Sequence, residues 1–347
     1  MNIHEKYLAR CIQLAKNGLG TTYPNPMVGS VIVYEDKIIG EGWHKKAGEP
    51  HAEVNAINSV KDKSLLQKAT IYVSLEPCSH FGKTPPCCDL IIQNKIPNVV
   101  IGTTDPDERV AGNGIKKLIE AGHNVTVGIL EEECNELNKR FFTFHQMKRP
   151  YIILKWAESQ DGFIAPEMRD EQKPVWITNQ YSRQLVHKWR SEEQAILVGT
   201  KTVIDDNPKL NVRDWNGKNP IRIVLDQNNR ISKDSQILDN QIKTIVFCKS
   251  NSNTNEENIF FETIDFEQNI VPQLLKTLYQ HRIQSVIIEG GCQTIQTFVD
   301  SGFWDEARIF KGEALFNKGT KAPTLKTKHS RKQYILRDEL IIFNNHD

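Results

Sequence analysis

The fold of this chain has to bring three distant potential metal ligands together. His51 lies two residues before Glu53, and Cys78 precedes Cys87 by eight intervening residues. One imidazole and two thiolates give a tetrahedral zinc ion three protein ligands and leave the fourth position for water, which is the arrangement of a catalytic site. The spacing therefore predicts a catalytic zinc centre in the first hundred residues.

Glu53 has the spacing of a proton carrier that is not itself a metal ligand. Zinc lowers the pKa of a bound water to ~7, and a nearby carboxylate can then pass the water proton to a leaving amine. In the zinc deaminases this set of residues reads H-x-E…P-C-x-x-C. Here Phe81 stands where that pattern has its second cysteine, so the loop that ends at Cys87 is longer.

A closed structural zinc site is the alternative reading of the same residues. His80 or Cys88 could supply a fourth protein ligand and exclude water from the metal. Glu53 favours the open, catalytic site, because a structural site has no use for a base at that position.

Length, charge and cysteine usage narrow the class of protein. A chain of 347 residues is long enough for two domains. Its 44 basic and 43 acidic residues give a formal net charge of +1, which argues against a general nucleic-acid or membrane-surface binder but allows a local basic pocket. No apolar run approaches the ~18 residues that span a bilayer. With an odd number of cysteines and a charged start, we expect the protein in the reducing cytoplasm.

Hydrophobic periodicity predicts two successive α/β domains. Residues 1–145 contain a hairpin over 28–41 and then alternating helices and buried strands, which indicates a sheet with helices on its faces. The polar stretch 145–150 ends in proline and is the best candidate for a linker. The alternation restarts at residue 151 and continues through the helix predicted over 293–301, so we assign the second domain to 151–347.

The second half lacks a G-x-G-x-x-G sequence but has another candidate phosphate site. A buried strand over 285–289 leads into Gly290 and Gly291, and a helix is predicted from Gln293. Such a turn lets backbone N–H groups approach a phosphate closely. By itself, a Gly-Gly strand–helix turn is more often only a tight connection.

The motifs of the first half resemble those of the bifunctional deaminase–reductase family of riboflavin biosynthesis. They are Pro-Asn-Pro-Met-Val-Gly over 24–29, His-Ala-Glu over 51–53 and the long zinc loop over 77–88. The resemblance implies a cytidine-deaminase-like three-layer domain that binds zinc through His51, Cys78 and Cys87 and uses Glu53 as the catalytic base. It also implies that Asn25 holds the pyrimidine ring. The residues that it places near the phosphoribosyl arm are His80, Lys83 and Thr84.

The second half resembles the reductase of the same family through the motifs over 155–162, 176–178, 199–208 and 210–213. The resemblance implies a dihydrofolate-reductase-like α/β domain that uses NADPH. The residues that it places at the cofactor are Ala157, Trp176, Thr202, Asp206, Gly291, Cys292, Gln293 and Thr294. Those that it places on the substrate side are Arg190, Leu210, Arg213 and Glu289. The candidates for handling a proton are Asp206 and Lys155.

Two positions depart from the family pattern at places that bear on substrate binding. Pro174 stands two residues before Trp-Ile-Thr, where the family commonly has serine, and it can offer only a backbone contact. Asp107 follows Asp-Pro where the family often has asparagine, so we do not assign that contact to it.

The resemblance implies two sequential activities in one enzyme. The first is zinc-dependent deamination of 2,5-diamino-6-(5-phosphoribosylamino)pyrimidin-4(3H)-one, and the second is NADPH reduction of 5-amino-6-(5-phosphoribosylamino)uracil to the ribityl product. We expect Zn²⁺ and NADPH as cofactors, a small-molecule substrate, no nucleic-acid or membrane partner, and a homodimer or higher homo-oligomer. Two alternatives stay open: a nucleic-acid base deaminase with a non-catalytic C-terminal module, and a second half that only mediates dimerisation.

Overall fold

The computed structural model describes residues 2–81, 85–107, 111–168, 171–250, 256–326 and 330–345. The chain divides into two compact units, Met1–Lys148 and Arg149–Asp347. The predicted domain limits, residues 145 and 151, lie on either side of this division. Within the described part of the chain, no helix is long and apolar enough to cross a membrane.

The first unit contains six α-helices and five strands among its described residues. The helices are α1 (Ile3–Ala15), α2 (Ala52–Ser59), α3 (Cys87–Gln93), α4 (Asn113–Glu120), α5 (Glu131–Leu137) and α6 (Lys139–Met147). The strands are β1 (Gly29–Tyr34), β2 (Lys37–Trp43), β3 (Thr70–Leu75), β4 (Asn98–Thr103) and β5 (Asn124–Val127). The hairpin predicted from the sequence is therefore confirmed as β1 and β2. Helix α6 continues to Met147, so the first half of the predicted linker is helical.

Helices cover both faces of the five-stranded sheet, whose order is β2-β1-β3-β4-β5. On one face, Tyr7 and Leu8 of α1 pack against Val31 of β1 and Val100 of β4. On the other face, apolar residues of α2, α3 and α4 pack against β1, β3 and β4. Because β3 and β4 are parallel, the loops that follow them leave the sheet at the same edge. This edge carries Cys78.

The second unit has a nine-stranded sheet, a two-stranded sheet and four α-helices among its described residues. The helices are α7 (Gln180–Glu192), α8 (Thr200–Asp206), α9 (Ile270–Gln280) and α10 (Cys292–Ser301). The strands are β6 (Tyr151–Glu158), β7 (Phe163–Pro166), β8 (Ala195–Gly199), β9 (Ile221–Leu225), β10 (Thr244–Cys248), β11 (Ile259–Thr263), β12 (Ser285–Gly290), β13 (Glu306–Lys311), β14 (Gly319–Lys321), β15 (Ser330–Ile335) and β16 (Asp338–Asn344).

The large sheet runs in the order β11-β10-β9-β8-β12-β6-β13-β16-β15. The first seven strands in this order, from β11 through β13, are parallel to one another. Strands β16 and β15 are antiparallel to their neighbours. Apolar residues of α9 and α10 cover one face, and Val186 and Trp189 of α7 pack on the other. In open parallel sheets, ligands bind beyond the carboxyl ends of the strands. Those ends of β6, β8 and β12 lie side by side here.

Candidate functional site

The three predicted metal ligands converge at the carboxyl edge of the first sheet. His51 is the N-cap residue of α2, Cys78 lies in the loop after β3, and Cys87 begins α3. The Nδ1 atom of His51 lies 3.6 Å from Cys78 Sγ and 3.4 Å from Cys87 Sγ. Zinc bond lengths of about 2.0–2.3 Å at tetrahedral angles separate two ligand atoms by roughly 3.6 Å. The side chains therefore fit a zinc ion.

The side chains proposed as a fourth ligand are engaged or placed elsewhere. The Cys88 thiol donates to the carbonyl oxygens of Pro77 and Gly114, at 3.2 and 3.6 Å. His80 is exposed, and the described residues that could jointly hold a metal at this place are His51, Cys78 and Cys87. The arrangement favours an open metal site over a closed one. Lys83 and Thr84, predicted near the phosphoribosyl arm, lie outside the described residues.

Glu53 lies in the first turn of α2 and is only 3% exposed. Burial disfavours its charged form and, with the neighbouring Cys78 sulfur, raises the pKa of Glu53 to about 7. Hydrogen bonds from Cys87 and from His51 act in the opposite direction on Cys78 and lower its pKa to about 4. The site thus combines a thiolate that can bind a metal with a carboxyl group that can carry a proton near neutral pH.

Asn25 is held close to these ligands by His44, which the sequence analysis did not identify. The Nδ1 atom of His44 lies 3.2 Å from the Pro50 carbonyl oxygen, so it must carry the proton and donate. The Nε2 atom then accepts from Asn25 Nδ2 at 3.1 Å, which fixes the orientation of that amide. The His44 ring stands edge-on to that of His51, with 5.3 Å between their centroids. His44 has no sequence signal beyond its position between β2 and His51.

Glu76, which the sequence analysis also did not identify, anchors the loop that carries Cys78. Its buried carboxylate accepts backbone N–H groups from Asp105, Gly112, Gly114 and Ile115, at 2.8–3.3 Å. These donors belong to the loop after β4 and to the start of α4. The carboxylate therefore ties the segment that carries Cys78 to the neighbouring helix.

A single cavity of about 1050 Å³ in the second unit is lined by every predicted reductase residue. Its volume is at the upper end of the range for small-molecule sites, as a dinucleotide together with a substrate requires. Residues from β6, α8, β12 and the start of α10 are among its lining residues. The lining includes every residue predicted to contact the cofactor, namely Ala157, Trp176, Thr202, Asp206, Gly291, Cys292, Gln293 and Thr294.

The Gly-Gly turn after β12 fits the phosphates of a nucleotide. A Cβ atom added to Gly290 or Gly291 would lie 3.2 or 3.3 Å from Thr202 Oγ1, in the space that this turn leaves open. Gly291 is the N-cap residue of α10, whose first backbone N–H groups have no partner within the helix. The donor set and the open space therefore fit the phosphate groups of NADPH.

The substrate side contains a buried cluster of charges. Glu289 accepts from Arg190 Nε and Nη2 at 3.0 and 2.6 Å, and Lys155 Nζ lies 3.8 Å away. Burial by itself would raise the pKa of Glu289, but Arg190 and Lys155 outweigh burial and bring it to about 2. Burial lowers the pKa of Lys155, which Glu289 partly opposes. Leu210 is buried beside this cluster, whereas the Arg213 side chain is 45% exposed.

Two further residues of α7 face this cluster and were not predicted. Arg183, His187 and Arg190 follow one another at four- and three-residue intervals, so they share one face of the helix. The Arg183 guanidinium lies 4.7 Å from the centre of the Trp176 ring and donates to the Thr178 carbonyl oxygen. The helical spacing of Arg183 and His187 relative to Arg190 could have indicated both residues, but only after Arg190 had been assigned to the site.

Both halves of the chain match known families. Residues 1–103 match the cytidine and deoxycytidylate deaminase zinc-binding region, and residues 150–330 match the RibD C-terminal domain. The riboflavin biosynthesis protein RibD of Aquifex aeolicus is 39% identical over 321 residues, which cover 91% of this chain and 89% of that protein. The Escherichia coli protein of the same name is 36% identical over 329 residues, which cover 88% of this chain and 86% of that one.

Solved structures agree with these matches over the whole length. A diaminohydroxyphosphoribosylaminopyrimidine deaminase/5-amino-6-(5-phosphoribosylamino)uracil reductase from Thermotoga maritima is 37% identical, with a TM-score of 0.89 over 99% of this chain and 98% of that one. Acinetobacter baumannii RibD is 32% identical, with a TM-score of 0.86 over the same shares. The predicted fold class, a cytidine-deaminase-like domain followed by a reductase domain, is confirmed. The chain therefore belongs to the RibD family, whose members are bifunctional deaminases and reductases of riboflavin biosynthesis.

Proposed function

We propose that the first unit deaminates 2,5-diamino-6-(5-phosphoribosylamino)pyrimidin-4(3H)-one and that the second reduces the ribosyl chain of the resulting aminouracil with NADPH. The observation that carries the first half is the buried Glu53 carboxyl group beside the ligand atoms of His51, Cys78 and Cys87. The observation that carries the second half is the one cavity lined by all the predicted reductase residues.

In the deaminase site, the residues of the chain bind the metal, orient the ring and move a proton. Zinc bound by the imidazole and the two thiolates supplies a water-derived nucleophile at neutral pH. Glu53 accepts the proton of the attacking water and returns it to the leaving amine, which departs as ammonia. Its pKa near 7 suits both transfers. Asn25, whose Nδ2 atom is directed to His44, turns its Oδ1 atom to the donors of the pyrimidine ring.

In the reductase site, the chain mainly provides position and charge. NADPH supplies the hydride. The first N–H groups of α10 and the Thr202 hydroxyl would hold its phosphates, and Trp176, which lines the same cavity, would pack against it. The proton that accompanies the hydride to the opened ribose is assigned to Asp206 or Lys155, which line the same cavity.

The substrate phosphate is assigned mainly to Arg213. Arg190 gives Nε and Nη2 to Glu289, and its Nη1 donates to the Asn211 carbonyl oxygen at 3.3 Å. Arg190 therefore has fewer donors left for a ligand. The Arg213 side chain lines the cavity and has a carboxylate oxygen of Asp214 at 4.0 Å, so it keeps most of its donors for an anion.

Glu53→Gln tests the deaminase assignment. The purified wild-type protein should contain about one zinc per chain, and the variant should keep that zinc. Ammonia release should fall by roughly 10²–10⁴-fold, because glutamine cannot transfer the proton, while NADPH oxidation with supplied aminouracil substrate stays unchanged. Zinc is measured by mass spectrometry and ammonia by a coupled assay. Glu49→Gln, at an exposed position of the same segment, is the matched control. Normal deamination by Glu53→Gln would show that the base has been assigned wrongly.

Arg213→Ala tests the reductase assignment. Loss of a charge-assisted hydrogen bond to phosphate should raise the KM for the aminouracil substrate about 10–100-fold and leave ammonia release intact. Lys218→Ala removes an exposed cation from the same loop and should leave the KM at the wild-type value. An unchanged KM in Arg213→Ala would remove this residue from the substrate site. Loss of both activities would instead indicate a folding defect.

A further inference from the structure

His187 makes one hydrogen bond with the loop that carries Arg213 and has a second polar contact with it. It is 3% exposed and lies on α7, one turn before Arg190. Its Nδ1 atom accepts the backbone N–H of Arg213 at 3.4 Å, and its Nε2 atom lies 3.3 Å from Asp214 Oδ2. A backbone N–H can only donate, so Nδ1 carries no proton, and the proton of the neutral ring is on Nε2, the atom near Asp214. The geometry thus defines a neutral imidazole in one tautomer.

The surrounding charges keep this imidazole neutral. Burial, followed by Arg190 and Arg213, lowers the pKa of His187 to about 4, while Asp214 and Glu289 act in the opposite direction. At neutral pH the ring therefore accepts the Arg213 N–H and adds no charge to the cluster.

The charge of the cluster matches a phosphate ester. Its described cations are Lys155, Arg183, Arg190 and Arg213, and its carboxylates are Glu289 and Asp214. With His187 neutral, the excess is two positive charges, and a phosphate monoester carries about −1.5 to −2 at pH 7. A protonated His187 would add a third positive charge that the ligand does not balance.

Arg213 depends on such a support because its own segment has no regular secondary structure. Residues 207–213 belong to neither a helix nor a strand. Besides His187, two side chains hold the neighbouring residues. The Asn219 Oδ1 atom accepts the backbone N–H of Val212 at 2.8 Å, and Arg190 Nη1 donates to the Asn211 carbonyl oxygen at 3.3 Å. An arginine on an unanchored loop would lose conformational entropy each time it bound the phosphate.

We propose that His187 is a positioning residue that sets the affinity of the reductase for the phosphate group of its substrate, by fixing the backbone of Arg213. The inference rests on the proposed function, in which Arg213 binds this phosphate. His187 is not among the described residues that line the cavity, so its effect on the substrate would pass through Arg213.

Two substitutions separate the hydrogen bond to Arg213 from the contact with Asp214. In His187→Asn, the Oδ1 atom replaces Nδ1 as the acceptor for Arg213 N–H, and the KM for the phosphorylated substrate should stay within about twofold of the wild-type value. In His187→Gln, the longer amide can still donate to Asp214 but leaves Arg213 N–H without its acceptor. The KM should then rise about five- to tenfold with kcat unchanged, because only binding is lost. With the dephosphorylated substrate, the two variants and the wild type should have the same KM.

The outcomes that overturn the inference are distinct from failure of the proposed function. An unchanged KM in His187→Gln, or an equal rise for the phosphorylated and dephosphorylated substrates, shows that His187 does not act through phosphate binding. Asn219→Ala releases the same loop from an exposed position, and it decides the question by the same comparison if His187→Gln does not fold. Arg213→Ala is measured alongside. If that variant binds normally, both the phosphate assignment and the role of His187 are wrong.

Discussion

Glu53 and Glu289 both have buried carboxyl groups, yet their surroundings shift the two pKa values in opposite directions. Glu53 has a sulfur ligand beside it, and burial raises its pKa to about 7. Glu289 has Arg190 and Lys155 beside it, and these cations hold its pKa near 2 despite burial. A group of the first kind can exchange protons at neutral pH, whereas one of the second kind remains a fixed negative charge that orients cations.

Functional residues could be predicted from the sequence where a reaction requires particular residue types at short, fixed spacings. His51, Glu53, Cys78 and Cys87 form such a pattern, and the structure brings the three ligand atoms within 4.8 Å of one another. Arg183, His187 and His44 could not be found in this way. Their roles depend on which face of a helix meets a distant loop and on which atom of a ring accepts a hydrogen bond, and neither is encoded in neighbouring letters.

At the scale of elements, the prediction succeeded where apolar residues alternate or recur along buried segments. Strand β3 and helix α9 are examples, since each buries apolar side chains at the spacing of its element. Strand β15 was missed because it is an exposed edge strand, and its sequence Ser-Arg-Lys-Gln-Tyr-Ile has almost no apolar side chain to bury. Helix α8 was read only as a motif because its seven residues are too few for a helical period.

The link between β3 and α4 through Glu76 leads to a prediction at this scale. In Glu76→Gln, one carboxylate oxygen becomes an NH₂ group that faces backbone N–H donors. Some of these buried N–H groups therefore lose their acceptor. We expect a loss of about 1–3 kcal/mol in stability, together with faster loss of zinc to a chelator, because Cys78 lies two residues away. Thermal unfolding and a chelator assay measure the two effects.

Glu120→Gln on the exposed side of α4 provides the control for this variant. The Glu120 side chain is 65% exposed, so its substitution should change neither quantity. If Glu76→Gln retains both wild-type stability and wild-type zinc retention, the carboxylate does not anchor the loop that carries Cys78.

At the scale of the whole molecule, the boundary between the units is set by a buried ion pair. Arg149 Nη1 and Nη2 lie 2.6 and 2.7 Å from the two carboxylate oxygens of Asp305, which also accepts the Ile152 N–H. Arg149 therefore belongs to the second unit, although polarity and Pro150 made it part of a predicted linker. The residues next to Arg149 in the sequence do not indicate that it pairs with a carboxylate 156 positions away.

Two fragments that differ by two residues test this boundary. A reductase fragment over 149–347 should fold and oxidise NADPH, whereas one over 151–347 lacks the Arg149 guanidinium that pairs with the buried Asp305. Removal of one member of a buried pair costs about 3–5 kcal/mol, so the shorter fragment should be markedly less stable in urea. Asp305→Asn in the shorter fragment removes the buried negative charge and should recover part of the loss. Equal urea midpoints for the two fragments would contradict the assignment of Arg149.

The order of the two sites along the chain has a consequence during synthesis on the ribosome. The metal ligands are complete at Cys87, and the sheet beneath them is complete with β5 at Val127. The cavity of the second unit, in contrast, needs β12 and the start of α10, which follow β6 by more than a hundred residues. Domains generally fold as units, the N-terminal one first. The metal site of the nascent chain can therefore form while most of the second unit is still untranslated, whereas the cavity of the second unit forms only after β12 and the start of α10 have been made.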